Sequence, residues 1–291
     1  MTRLAPRLGV GFALALLLLA GSSFALPPRT LTRDLLSWNV GTLNPLEFRL
    51  PERFEDRVVN GIFDVDAEVV ALQELGSTTQ ALRLQAALAA RGRPYWVETE
   101  DNHPGRSDGR MIAVFYRGEV LSERRTFVSS SGYQALALVF DSGWTLVNAH
   151  GPATSHKPRR AYFEELSRWI TNLPGTVVLA GDLNLGPRHG AGVSAVLPWA
   201  RRHDRETFRD LAQGFAARTS GDSTTFYGFA LDHVLVQRGS VQREEQHRGY
   251  RKFPMDHRPL EVRFEVDLSA PAAPVTSATT RGAAGALAGT P

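Results

Sequence analysis

Eight short runs rich in β-branched and aromatic residues recur through the middle of this chain, and they constrain its fold more than any other feature. They are Leu35–Val40, Val69–Gln73, Met111–Tyr116, Gln134–Phe140, Trp144–Asn148, Thr176–Ala180, His233–Val236 and Leu260–Val266. Between them, apolar residues recur at helical spacing: Phe54, Val58 and Ile62, then Phe163, Leu166, Ile170 and Leu173. A third helix is predicted to open with Ser77 and Gln80 in capping-box spacing and to end before Gly92. Two pairs of neighbouring runs read as hairpins. One joins Gln134–Phe140 to Trp144–Asn148 across Asp141-Ser142-Gly143. The other joins His233–Val236 to Val241–Gln246 across Arg238-Gly239. Hairpins mixed with strand–helix–strand units predict mixed sheets flanked by helices, not an all-parallel doubly wound sheet.

The two ends read differently from this middle. Residues 1–8 carry Arg3 and Arg7 and no acid, then lead into the apolar run Leu8–Ala20 and the small-x-small end Ser23-Phe24-Ala25. This is the pattern of a secretory signal peptide over 1–25, cleaved after Ala25. The apolar run falls short of the roughly 20 residues that a spanning helix needs. From Ser269 to Pro291 the chain is rich in Ala, Pro, Thr and Gly with one charge and no aromatic, too little apolar surface to offset the entropy of ordering it, so 269–291 reads as a disordered tail. One domain over 34–268 remains. The expectation is export to the periplasm or the medium, with no membrane span after signal cleavage. With no Cys, the chain cannot build a disulfide framework, a zinc–thiolate site, an iron–sulfur cluster or a thiol nucleophile. Its 33 basic and 30 acidic residues leave +3, too near balance to announce a nucleic-acid binder.

Polar residues stand where the runs end. Asn39 lies in SWNVG, Glu74 closes VVALQEL, His150 closes TLVNAHGP, and Asp182 with Asn184 closes TVVLAGDLN. Asp232 opens ALDHVLV, and Asp256-His257 precede the last run in MDHRPL. Strand termini of one sheet edge can converge on a single cleft. Hard oxygen donors such as Asn39, Glu74 and Asp256 suit Mg²⁺, with Mn²⁺ or Ca²⁺ as alternatives. Histidines beside carboxylates supply a proton acceptor and a charge-stabilising donor. Each motif alone has an ordinary structural explanation: an Asp/Asn turn, a strand leaving the core, a boundary histidine, or a loop entering an edge strand. Their occurrence together, in this order, on one domain does not.

The series SWN, QE, NAHGP, GDLN, DHV and DHRPL resembles the endonuclease/exonuclease/phosphatase superfamily, from Leu35 to Pro259. The resemblance implies a four-layer α/β sandwich, two packed mixed β-sheets flanked by helices. It also implies a metal-dependent phosphodiesterase in which Asn39 and Glu74 hold the metal with Asp256 close by. Asp182 and Asn184 would position the water and the phosphate. His257, oriented by Asp232, would be the base or proton carrier, and His150 would contact the scissile phosphate. Two departures stand out: Met255 replaces the Ser that usually precedes Asp-His, and Arg110, with Asp108 two positions earlier, occupies the place where an acid often pairs with His150.

Nucleic acid is the expected substrate. Arg93, Arg106, Arg110, Lys157, Arg159, Arg160, Arg188, Arg201 and Arg202 lie in the stretches joining the motifs, and guanidinium forks match phosphates. Of these, Arg110, Arg159, Arg160, Arg201 and Arg202 are the candidate substrate contacts, although such runs are also common on solvated surfaces. A phospholipid or small phosphate ester is the alternative, with Ala191–Ala200 as the candidate lipid-facing segment. A catalytically silent binding domain is the reading from another class, and the complete acid, amide and histidine set argues against it. Arg188-His189-Gly190 also resembles the phosphate-binding motif of histidine phosphatases, but it sits mid-chain and lacks that motif's following Arg.

Overall fold

The computed structural model describes residues 29–42, 49–104, 110–153, 155–188, 198–220, 222, 224–225, 229–247 and 255–269. The segments expected to be a signal peptide (1–25) and a tail (269–291, apart from Ser269) lie outside them, as do Arg106, Asp108, His189, Gly190 and residues 191–197.

One sheet is built from β1 (Thr30–Asn39), β2 (Val69–Leu75), β3 (Trp96–Asp101), β4 (Met111–Tyr116), β11 (Gly239–Gln246) and β12 (Leu260–Asp267), in the order β11-β12-β1-β2-β4-β3. The other takes β5 (Leu121–Val128), β6 (Gln134–Phe140), β7 (Trp144–Ala149), β8 (Thr176–Asp182), β9 (Ala217–Arg218) and β10 (Asp232–Val236), in the order β5-β6-β7-β8-β10-β9. Each sheet has one parallel pair at its centre, β1–β2 and β7–β8. A crossover helix makes each pair possible: α1 (Glu55–Val65) in the first and α3 (His156–Ile170) in the second. Helices α2 (Thr78–Ala90) and α4 (Pro198–Ala212) complete the outer layers.

Strand alternation produces the layers. Leu35, Val69, Ala71, Ile112 and Val114 point inward and meet Leu136, Leu138, Leu146, Val178, Ala180 and Val234 of the other sheet. Their neighbours Leu36, Trp38, Val70 and Leu72 point outward onto Val58 and Ile62 of α1 and Leu84 and Leu88 of α2. In the second sheet, Val147, Val177 and Leu179 pack outward on Tyr162, Phe163 and Leu166 of α3 and on Phe208 and Leu211 of α4. Burial of each such side chain stabilises the fold by about 1.5–3 kcal/mol. The result is the four-layer sandwich expected from the sequence.

Local rules hold at the helix ends. The Ser77 hydroxyl accepts from the Gln80 backbone N–H at 3.1 Å, as a capping box requires. The Gln80 side chain reaches back to the N–H of Gly76, one residue earlier than the usual partner, at 2.7 Å. The first sheet begins before Asp34, because β1 pairs Thr30 with Asp267.

The second expected hairpin does not form. β10 lies between β8 and β9, whereas β11 pairs with β12 in the other sheet. Both flanks of β10 are already occupied, so the chain crosses from one sheet to the other at Gln237-Arg238. Gly239 makes the crossing possible. Its φ is 139°, and a Cβ there would stand 1.8 Å from the Glu265 carbonyl oxygen.

Arg159 is also placed differently from expectation. It is fully buried, donating to Asp204 at 2.6 Å and to the Pro152 carbonyl at 2.8 Å, so it ties α3 to α4 instead of meeting substrate. Removing one partner of a buried pair leaves the other charge uncompensated. Asp204→Ala is therefore expected to lower unfolding free energy by about 3–5 kcal/mol. The double replacement Arg159→Met/Asp204→Leu should recover most of that loss. Urea unfolding of the three proteins checks this; a single variant as stable as the parent would contradict the structural role.

Candidate active site

Topology gathers the strand-end residues on one edge. Asn39 and Glu74 lie at the C-terminal ends of the parallel strands β1 and β2, and His150 and Asp182 at those of β7 and β8. β10 is antiparallel to β8 and β12 is antiparallel to β1. Their N-terminal ends consequently fall on the same edge, bringing Asp232 and the Asp256-His257 loop to it. Each sheet supplies half of the site.

Backbone distortion aims two of these side chains. Glu74 adopts a left-handed φ of 62°, in an interruption of the β2–β4 ladder between Leu72 and Leu75. Asn184 does likewise at 51°. Such residues cost about 1–3 kcal/mol each and turn their side chains out of the strand's alternation.

Asp182 is the hub. One carboxylate oxygen accepts from the Asn39 amide at 2.9 Å, and the other from the Asn184 backbone N–H at 2.8 Å. His257 Nε2 is 3.5 Å and His150 Nε2 is 3.7 Å from the first of these oxygens. His257 Nδ1 meets the Asp232 carboxylate at 2.7 Å, fixing the ring. Arg110 donates to Glu74 at 2.9 Å, and His150 Nε2 is 3.4 Å from the same Glu74 oxygen. The Asn184 amide donates to the Gly151 carbonyl at 2.9 Å. Asn39 Oδ1 accepts from the Gly41 N–H at 2.9 Å, so this side chain braces Asp182 and retains a single lone pair for any other partner.

The electrostatics separate the two histidines. Burial pushes His150 down to about 4, outweighing the attraction of Asp182, so it is neutral above that range. Burial also acts on His257, but Asp232 and Asp182, joined by Asp256, raise it well above the ordinary histidine value. These carboxylates favour its protonated form. Burial drives Glu74 up to about 8, against the pull of Arg110 and with the push of Asp182. Burial likewise raises Asp256, with His257 opposing.

A divalent cation fits this edge. Glu74, Asp182, Asp232 and Asp256 bring four carboxyl groups together with Arg110 and His257 as the opposing cations, and all donors facing the cleft are hard oxygens or imidazole. Asp232 Oδ1 is buried without a hydrogen-bond partner, and Asp182, Asp232 and His257 could converge on a single ion. Glu74 and Asp256 are the remaining acids, Glu74 3.4 Å from His150 Nε2 and Asp256 3.8 Å from His257 Nε2.

The sequence did not reveal everything here. Asn102, buried beside β3, places its side-chain amide 3.3 Å from His150 Nδ1 and so occupies the partner position left open by Arg110. Only its position at the end of an edge strand could have marked it. Met255 is buried in the apolar layer beneath α1 and α2 and bridges Thr42, so packing anchors the Asp256-His257 loop where a hydroxyl was expected. Arg160 is exposed and pairs with Glu164 along its own helix at 2.6 Å. Arg201 is half-buried and Arg202 exposed on α4, Arg188 and Lys157 are exposed, and Arg93 pairs with Asp66 at 2.8 Å. Of the expected substrate arginines, Arg110 alone contacts a strand-end acid among the described residues.

Solved structures share this architecture. An AP endonuclease from Archaeoglobus fulgidus is similar with a TM-score of 0.60 at 13% identity, covering 79% of this chain and 98% of that one. A 3'-5' exonuclease from Neisseria meningitidis gives 0.57 at 18%, covering 79% and 98%. The human Nocturnin catalytic domain, with bound sulfate, gives 0.57 at 15%, covering 81% and 97%. At these identities the likeness establishes the fold. No curated protein sequence matches this one significantly. The model of the endonuclease/exonuclease/phosphatase family matches residues 36–250. Its members are hydrolases of phosphate esters and are generally dependent on a divalent metal. The chain belongs to the endonuclease/exonuclease/phosphatase family.

Proposed function

We propose that the protein is an exported, divalent-metal-dependent phosphodiesterase that hydrolyses nucleic acid. The observation that carries the reading is the meeting, on one buried edge, of the Asp232-bound His257 ring and the His150 ring at the Asp182 carboxylate hub. Mg²⁺ is the expected ion, held by Glu74 and Asp256; when bound, it supplies charge stabilisation at a non-bridging phosphate oxygen.

The chain's own residues account for the rest. Asp182, fixed by Asn39 and by the Asn184 N–H, orients the attacking water and accepts its proton. As the water oxygen bonds to phosphorus, the bond to the leaving oxygen breaks. The His257 imidazolium donates to the charge that develops on the phosphoryl oxygens, and Asp232 keeps it protonated and aimed. Neutral His150 contributes a hydrogen bond on the other side. This assignment departs from a simple base role for His257, because a raised histidine at neutral pH is a donor.

Support for nucleic acid comes from two neighbours of the same fold, named for action at AP sites and as a 3'-5' exonuclease. A further structure, a 3' phosphatase from Neisseria, holds a product DNA hairpin. Export is supported by the basic, apolar and small-residue succession through Ala25. Among the described residues no helix is long and apolar enough to cross a membrane.

Purified protein offered plasmid DNA, RNA, sphingomyelin liposomes and a phosphate monoester, each with and without Mg²⁺, should cleave nucleic acid only with the metal. Hydrolysis of sphingomyelin alone would replace this reading with the lipid one. Asp232→Asn should move the alkaline limb of the pH–rate profile to lower pH, because removing the carboxylate lowers the pKa of His257 and the donor is lost earlier. It should also cost about 10²–10⁴ in rate. An unmoved limb would refute the donor role.

The exported form should begin near Leu26 by intact mass. An intact Met1 in exported material would refute the signal peptide.

A further inference from the structure

A second concentration of charge lies beyond the carboxylate edge. Arg202, Arg205 and Arg209 occupy positions i, i+3 and i+7 of α4, which places them on one face of the helix, and all three are exposed. Arg218 faces them from the edge strand β9. With Pro187 and Phe208 they line a cleft of about 390 Å³, in which Glu206 is the one acid among the described residues. Glu206 leans toward His203 at 3.7 Å, and Arg209 reaches Asp210 at 3.5 Å. Arg218 lies over the Phe208 ring at 5.6 Å. Four guanidinium groups facing one cleft repel each other unless an anion stands between them, and their planar forks match phosphate oxygens.

The cleft is built on elements that also carry the site. Pro187 sits in the loop that leaves Asp182 and Asn184. Phe208 packs on His233 at 4.7 Å between ring centroids, and His233 follows Asp232 in the chain. A Cβ on Gly186 would lie 3.3 Å from the same His233 ring. Cleft and site therefore adjoin opposite faces of β10, with Asp232 turned toward the other sheet and His233 toward α4. Direction follows from topology. Arg159 joins the start of α3 to Asp204, so the first half of α4 lies toward the edge that bears His150. Arg218 pairs with Leu235, near the end of β10 away from Asp232. The arginines thus run outward from the mouth of the site, and Arg202 to Arg209 spans about 10 Å of helix.

We propose that this cleft binds the phosphodiester backbone of the substrate strand to one side of the scissile phosphate, extending recognition beyond the catalytic edge. The inference rests on the nucleic-acid reading above and adds residues, Arg205, Arg209 and Arg218, that the strand-end motifs do not contain. The cleft makes affinity depend on strand length, because a short oligonucleotide fills the edge alone.

The test is fluorescence anisotropy with labelled single strands of about 4 and about 16 nucleotides, in chelator so that nothing is cleaved. The native chain should bind the longer strand more tightly. Arg205→Gln/Arg209→Gln and the stronger Arg205→Glu/Arg209→Glu, both at exposed positions, should lose that advantage by about tenfold or more while binding the short strand as before. The Gln pair should also reduce the salt slope of log K for the longer strand by about 1.4. If both pairs bind the longer strand like the native chain, the cleft assignment is overturned and the nucleic-acid reading stands. If the native chain binds neither strand, both are overturned.

Discussion

Hydrogen bonds between buried amides hold the two sheets in register at one edge, and the site depends on them. The Asn39 amide in the first sheet donates to Asp182 in the second at 2.9 Å. Behind it, Gln73 donates to Asn148 at 2.8 Å, and Asn148 donates across the gap to the carbonyls of Leu72 and Ala113 at 3.0 and 2.9 Å. The core between the sheets is otherwise largely apolar, and apolar packing is non-directional. Directed bonds between buried groups are costly to leave unmade, so they fix how far one sheet can slide on the other. Glu74 and Arg110 on one sheet and His150, Asp182 and Asp232 on the other are brought within reach only in that register.

The same edge concentrates the fold's unfavourable energy. Glu74 and Asn184 hold left-handed backbone, Glu74 is forced toward neutrality, and Asp232 Oδ1 lies buried without a partner. Strain and unmatched charge collected at one place are what a site prepared for a cation and a phosphate requires. The arginine cleft beside it carries the opposite imbalance, so the two neighbouring surfaces suit a metal ion and a polyanion respectively.

Legibility in the sequence followed burial. Central strands such as β2 and β8 are buried on both faces and stand out as unbroken apolar runs ending in Glu74 and Asp182. The edge strands β3 and β5 went unread because their exposed faces carry Glu98, Glu100, Asp101, Glu123, Arg124 and Arg125, charges that protect an open edge and erase the strand signal. The basic run around Arg159 makes it a candidate substrate contact, whereas the side chain is buried. It precedes Tyr162, Phe163 and Leu166 at helical spacing, so it shares their buried face, and the periodicity carried that information. The passage of the chain from β10 to β11 between sheets had no local signal, because a Gly-containing turn serves a hairpin and a crossing equally well. Asn102 gained its place beside His150 from tertiary packing alone.

The most direct measurement is calorimetric titration of Mn²⁺ into metal-free protein, native and Glu74→Gln, with melting curves recorded alongside. Saturable binding is expected for the native chain, weakened about 10–100-fold in the variant while its fold is retained. Binding that is absent from the native chain, or equally tight in the variant, would contradict a metal-assisted site centred on Glu74.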